Sequence, residues 1–348
     1  MRPYALFAFA LMPAIVAASG CCPANAEPAG DDPVLAAWAQ LIPHAGCTIA
    51  QERRPVNACD PELVIRAVVR PGTTCPEIRI SGDENLLTMA ERPNPAKDDI
   101  EVRVCEASVD RRKAGQASLT NSRKTVSWSA FVRSDALDRV VVIGDTGCRN
   151  EQGQEGCDAS GGEEGAAGRG WPFARVADVA AKTKPGLVIH VGDFRYRHES
   201  GPDTWEDWKK DVFDPAAPLL AAAPWIIARG NHDLCFKTKG GYKGNGWPLF
   251  FGPKLGDNPK NCRETADARA AAPPALPPYA LDVMPELRLV VLDSSGSYYG
   301  CAEWGRAFDD WTRGGFADLF RPGGQDKADP QTGKADQRRV WLVTHYPV

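Results

Sequence analysis

Four short apolar runs mark the second half of the chain, and each stops on a polar residue, three of them after a glycine. Val140-Val141-Val142-Ile143 leads into Gly144-Asp145-Thr146-Gly147, and Leu187-Val188-Ile189-His190-Val191 leads into Gly192-Asp193. Trp225-Ile226-Ile227-Ala228 leads into Arg229-Gly230-Asn231-His232-Asp233, and Val340-Trp341-Leu342-Val343 leads into Thr344-His345. Apolar, β-branched runs bounded by turn residues read as buried strands. The residue after each strand is then pushed out at the carboxyl edge of a sheet, where open α/β sheets hold their ligands. Between these runs the spacing turns helical, over residues 171–183 with Pro172 in the first turn and over residues 204–222, with interruptions expected at Pro215 and Pro218. Residues 287–293 add a strand. From Arg139 onward the alternation of strand, loop and helix is that of an α/β core.

The first part of the chain has a different pattern. Residues 34–42, after Asp31-Asp32-Pro33 and before Pro43, read as a capped amphipathic helix. Alternating runs follow at 62–69, 77–80, 100–105 and 125–132, separated by Pro-Gly, Gly-Asp and Pro-Asn-Pro turns. These predict a small β-rich N-terminal domain over residues 27–136, before the α/β domain of residues 137–348. Residues 153–170 and 252–278 are long excursions, rich in Gly and Glu and in Pro and Ala respectively.

Composition narrows the class. A net charge of -4 and a pI near 5.8 leave no basic footprint for nucleic acid and favour a small-molecule substrate. The start of the chain, Met1-Arg2-Pro3, then an apolar stretch, then Ala24-Asn25-Ala26, has the layout of a secretory signal over residues 1–26. Its apolar part is too short to span a bilayer comfortably. An alternative reading is Ala18-Ser19-Gly20-Cys21 as an imperfect lipoprotein box, which would make Cys21 a lipid anchor and the protein membrane-attached. Either way the chain is exported, to a periplasm or the extracellular space. Eleven cysteines agree with an oxidising compartment. Sequence proximity suggests bridges between Cys47 and Cys59, Cys75 and Cys105, and Cys148 and Cys157.

The strand-end residues carry the chemistry. Gly144-Asp145-Thr146-Gly147, Gly192-Asp193-Phe194-Arg195-Tyr196, Gly230-Asn231-His232-Asp233 and Val343-Thr344-His345 resemble, in order, the calcineurin-like metallophosphoesterases. They are most similar to the purple acid phosphatase branch, with motifs GDxG, GDxxY, GNH[DE], a strand-end His and a closing GHxH. The resemblance covers residues 139–348. It implies a sandwich of two mixed β-sheets flanked by helices, and a hydrolase that uses two metal ions on a small phosphorylated substrate. Asp193 then bridges the ions, Asp145 holds the first, and Asn231 and His345 hold the second. In the wider superfamily the first motif is D-x-H, but here Gly147 stands in place of that His. The resemblance assigns its role to Tyr196, whose phenolate favours Fe(III) beside a divalent Fe, Zn or Mn. Packing on Phe194 is the alternative role for Tyr196. The implied reaction is attack on phosphorus by a metal-bound hydroxide, with His232 assisting the leaving group and Asp233 orienting the His232 imidazole.

One motif departs from the family. No GHxH follows His345, so each metal shell lacks a nitrogen ligand. The expectation is a fragment of a longer protein, in which the 348-residue polypeptide binds metal weakly and turns over slowly. A reading from another class is a secreted, disulfide-stapled binding protein with a vestigial or incomplete metal site; the retained Asp193 and Asn231-His232 weigh against it. Gly161-Gly162-Glu163-Glu164-Gly165 follows no strand and lacks the residues of a phosphate cradle, and Ser294-Ser295-Gly296 lacks a nucleophile elbow. His190 belongs in the core by strand alternation. Arg197 and His198 read as loop residues. Lys237, Lys239 and Lys243 are either solvated or directed toward a phosphate. Monoesterase and diesterase activity, and oligomeric state, are not legible.

Overall fold

The computed structural model describes residues 32–44, 47, 59–94, 100–129, 131, 137–148, 171–196, 203–238, 241–253, 262, 276–297, 302–313, 316–320 and 339–347. The expected leader over residues 1–26, including Cys21, lies outside them, as do Arg197, His198 and Lys239. In chain order the strands are β1 (Val34–Ile42), β2 (Glu62–Val69), β3 (Glu77–Ile80), β4 (Leu86–Thr88), β5 (Ala90–Glu91), β6 (Arg103–Val109), β7 (Gly115–Leu119) and β8 (Thr125–Trp128). There follow β9 (Val140–Ile143), β10 (Leu187–His190), β11 (Trp225–Ile227), β12 (Phe236–Thr238), β13 (Gly241–Lys243), β14 (Tyr279–Met284), β15 (Leu287–Val291) and β16 (Arg339–Val343). The helices are α1 (Phe173–Lys182), α2 (Trp205–Trp208), α3 (Asp214–Ala222), α4 (Gly246–Phe250), α5 (Ala302–Arg313) and α6 (Phe316–Leu319). Among the described residues no helix is long and apolar enough to cross a membrane.

A seven-stranded mixed sheet, ordered β5-β6-β2-β1-β11-β10-β9, runs through the centre. Strands β1, β11, β10 and β9 pair in parallel, while β1, β2, β6 and β5 pair antiparallel. One face of this sheet, with Ala37, Ala39, Leu41, Ile65 and Ile226, packs against the three-stranded sheet β14-β15-β16 and the four-stranded sheet β4-β3-β7-β8. The opposite face, with Ala36, Trp38, Val188, Trp225 and Ile227, packs against α1, α3 and α4. On the far side of the small sheet, Leu319 of α6 packs on Ala280 and Val290. The layers are therefore helix, sheet, sheet, helix, which is a mixed α/β sandwich.

Residues 34–42 form a strand, not the expected helix. Alternate side chains of β1 enter the two cores on either side of the central sheet, so both faces must be apolar. A strand buried on both sides loses its period-two signal and is indistinguishable by pattern from a buried helix. β1 also joins the two parts of the chain, because Gln40 of β1 pairs with Trp225 of β11. The boundary expected at residue 136 therefore does not coincide with a break in the sheet. The helical segment expected at 204–222 is present and is not cut by its prolines. Thr204 caps α2 through the Asp207 N–H, a wide turn at Lys209–Phe213 joins α2 to α3, Pro215 falls just after that turn, and Pro218 lies inside α3.

Two disulfides join described residues, Cys75 to Cys105 and Cys235 to Cys262. The first was expected. Cys148 is also disulfide-bonded; Cys157, its expected partner, lies outside the described residues. Cys47 and Cys59, expected as a bridge, are buried thiols that hydrogen-bond to one another.

Candidate metal centre

The site lies at the carboxyl ends of the parallel strands. After β9 and β10 the chain must turn sharply, and both aspartates that make the turns, Asp145 (φ 53°) and Asp193 (φ 60°), sit in the left-handed region. Non-glycine residues are rarely found there, and such strain concentrates at functional sites. The two turns are tied together by the Asp145 N–H donating to the Gly192 carbonyl at 2.9 Å and the Gly147 N–H to the Asp193 carbonyl at 3.3 Å.

Close approach fixes two glycines. A Cβ at Gly230 would lie 2.1 Å from Asp193 Oδ1, so the third loop reaches the carboxylate only because no side chain intervenes. A Cβ at Gly147 would lie 2.8 Å from both the Arg195 Cα and the Tyr196 ring. The backbone of Phe194 and Arg195 and the Tyr196 ring together leave no room for a side chain at position 147.

The five residues that the sequence singles out as ligands come together. Single donor atoms of Asp145, Asp193 and His345 lie within 4.8 Å of one another. The Tyr196 hydroxyl donates to Asp145 Oδ1 at 2.6 Å. His345 Nε2 stands 3.0 Å from Asn231 Oδ1 and 3.4 Å from Asp193 Oδ2. Asp193, Tyr196 and Asn231 are buried, while Asp145 is exposed, so the cluster opens to solvent on the Asp145 side.

The protonation pattern of this cluster invites a cation. His345 Nδ1 lies 3.0 Å from the Val191 carbonyl, which only accepts, so Nδ1 carries a hydrogen. A neutral His345 then points its Nε2 lone pair at two oxygens. Burial alone would lower its pKa, but the Asp193 hydrogen bond and the charges of Asp193 and Asp145 raise it. For Asp193, burial raises the pKa, and the His345 hydrogen bond together with the His232 N–H more than reverses this, leaving it low. Converging lone pairs that hold a proton in this way suit a cation equally well, since ligation requires the same groups deprotonated. Two carboxylates, an amide oxygen, a phenol and an imidazole form a hard, oxygen-rich set fit for Fe, Mn or Zn.

His232 sits half-buried beside this cluster, its ring 4.4 Å from that of Tyr196, and its backbone N–H donates to Asp193 Oδ1 at 2.8 Å. Asp233 does not orient it as expected. Asp233 Oδ2 accepts the N–H groups of Asp193 and Gly230, each at 2.9 Å, and Oδ1 accepts that of Phe194 at 3.0 Å. Its carboxylate therefore ties the second strand-end loop to the third. Burial and the neighbouring Asp193 charge push its pKa up to about 7, against the pull of those three amides.

The remaining histidine of this region, His190, is a core residue. It is fully buried and stacks 3.7 Å from Phe194. Its Nδ1 accepts the Gly192 N–H at 3.1 Å, and Nε2 lies 2.9 Å from Thr146 Oγ1. Burial lowers its pKa to about 3, so it is neutral. Lys243 is buried rather than a solvated surface residue. Sequence reasoning missed Tyr346, whose hydroxyl donates to Asn231 Oδ1 at 2.8 Å. It also missed Arg195, whose guanidinium pairs with buried Asp203, while Asp203 Oδ2 accepts the N–H groups of Gly244 at 2.9 Å and Gly246 at 3.1 Å. That chain of contacts braces the loop leading into α4.

The family model described as calcineurin-like phosphoesterase matches residues 138–321, just over half of the chain. No curated protein matches it. Among solved structures it is similar to purple acid phosphatase PPD1 from yellow lupin (Lupinus luteus) seeds, with 15% identity and a TM-score of 0.41, over 73% of this chain and 45% of that one. It is also similar to PhoD, with 11% identity and a TM-score of 0.42, over 77% of this chain and 53% of that one. The chain thus spans about half the length of the solved structures it matches.

Proposed function

The chain belongs to the calcineurin-like phosphoesterase family, typically metal-dependent phosphoester hydrolases with a binuclear centre, and from that premise we propose that it hydrolyses phosphate esters of small molecules outside the cytosol. The observation that carries the reading is the convergence of Asp145, Asp193, Tyr196, Asn231 and His345 from four strand ends. These are the residues that would hold the two ions: Asp193 between them, Asp145 and Tyr196 toward the first, Asn231 and His345 toward the second. When bound, such a pair neutralises the ester and acidifies water.

The chain's own residues supply the rest. The buried side of the cluster excludes solvent, and the Asp145 side admits the ester. The Asp233 carboxylate keeps the Asp193 and Asn231 loops in register. His232 lies on the partly open side, where its imidazole can donate a proton to the departing oxygen or a hydrogen bond to the phosphoryl group. Tyr196 takes the role of the missing His at position 147, which favours Fe(III) as one of the ions, beside a divalent Fe, Zn or Mn. Disulfides such as Cys75–Cys105 and Cys235–Cys262 support an exported protein.

The test is hydrolysis of p-nitrophenyl phosphate and bis(p-nitrophenyl) phosphate by the full-length, metal-loaded protein. We expect turnover of at least one, abolished by chelation. Inactivity toward both in protein shown to hold two ions would contradict the reading. The visible spectrum checks the finer assignment: a tyrosinate-to-iron charge-transfer band that disappears in Tyr196→Phe.

A further inference from the structure

We infer that Tyr346 is a positioning residue for Asn231, its phenol fixing which end of the carboxamide faces the centre. The inference rests on the two-cation reading above.

A carboxamide has two ends of nearly equal shape and opposite chemistry: the oxygen can hold a cation and the NH2 cannot. Asn231 is buried, so its neighbours decide its orientation. Asn231 Oδ1 lies 3.0 Å from His345 Nε2, and the Tyr346 hydroxyl stands 2.8 Å from the same oxygen. A phenol donates far more readily than it accepts, so its hydrogen bond is made to the oxygen end and holds that end toward the His345 side.

The turn that delivers this hydroxyl is itself locked. Ser294 Oγ, fully buried, accepts the Tyr346 N–H at 2.8 Å and lies 2.8 Å from Thr344 Oγ1. Thr344 Oγ1 donates to the Tyr346 carbonyl at 2.9 Å. The Tyr346 ring stands edge-on to His345, 4.6 Å away. One strand end thus provides a ligand, His345, and beside it the group that orients another ligand, Asn231.

A double-mutant cycle tests the orienting role. Metal-free full-length protein is titrated calorimetrically with Mn2+ in four forms: wild type, Tyr346→Phe, Asn231→Asp and both together. We expect Tyr346→Phe to keep the wild-type melting midpoint and to weaken one of two Mn2+ equivalents by about tenfold. A carboxylate has no wrong end, so in the Asn231→Asp background the same substitution should cost no more than about twofold. Wild-type titration by Tyr346→Phe, or an undiminished penalty in the Asn231→Asp background, overturns the inference and leaves the two-cation reading standing. A wild-type protein that takes up no Mn2+ overturns both.

Discussion

In the antiparallel half of the central sheet, buried polar groups are closed onto one another; at the carboxyl ends of the parallel strands they gather beside the exposed Asp145. Arg66, fully buried on β2, donates to Glu106 of β6, to Gln40 of β1 and to the carbonyls of Phe250 and Gly252. Arg92 donates to the same Glu106 and to the carbonyls of Leu249 and Gly252. Two guanidinium groups therefore cap the carboxyl end of α4, where carbonyls lack helical partners and cations are favoured. At the ends of β9, β10 and β11, and of β16 in the small sheet, Asp145, Asp193, Asn231 and His345 bring oxygen and nitrogen atoms suited to a cation to one point. The first arrangement is architecture and the second is the centre proposed to hold cations.

Substitutions on the two sides should separate stability from activity. Asp193→Asn should lower kcat/KM by about a thousandfold or more, as removal of a central catalytic group does, while the urea midpoint falls by less than in Arg66→Met, because the amide keeps an oxygen for the His232 N–H. Arg66→Met should do the reverse. Breaking one side of a buried ion pair costs about 3–5 kcal/mol, read as a lower urea midpoint, with kcat/KM per folded molecule unchanged. If Arg66→Met removes activity from fully folded protein, the division between the halves is wrong. Gly230→Ala, whose Cβ would press on Asp193 Oδ1 and on the Asp193 backbone N, should reduce kcat/KM by about a hundredfold through misplacement of that carboxylate and also destabilise the metal-free protein by about 1–3 kcal/mol, as overpacking does.

The smallest effect is a pH dependence. His190 is held neutral, its pKa lowered by burial to about 3, whereas the unfolded chain protonates it near the ordinary value of about 6.5. Its contribution to stability is complete above pH 6.5 and is lost as the pH falls toward 3, at no more than about 1.4 kcal/mol per pH unit. Urea midpoints at pH 7 and pH 5 should differ less in His190→Gln than in wild type. Equal differences would place the acid sensitivity elsewhere.

What the sequence makes legible follows from how local the cause is. Asp145, Asp193, Asn231 and His345 are readable because a strand, a sharp turn and a polar residue lie within a few positions. Tyr196 is singled out only by the family resemblance, and the structure places its hydroxyl on Asp145. β1 is misread because burial on both faces erases the alternation that marks a strand. The actual task of Asp233 depends on the amides of Asp193 and Phe194, some forty positions away, and no local pattern shows that. Tyr346 looks like any aromatic after a strand until Asn231 is seen beneath its hydroxyl. Helix α5 has Trp304, Phe308 and Trp311 at helical spacing, a signal that was present and is easily passed over between two glycine-rich stretches.

The central claim is that four strand ends build one centre for two ions. Anomalous diffraction from crystals of the full-length protein grown with Mn2+ tests it most directly. The account predicts two peaks about 4 Å apart on either side of the Asp193 carboxylate, one beside Asp145 and Tyr196 and the other beside Asn231 and His345. A map without peaks at Asp193, or with manganese bound only at other sites, would contradict it.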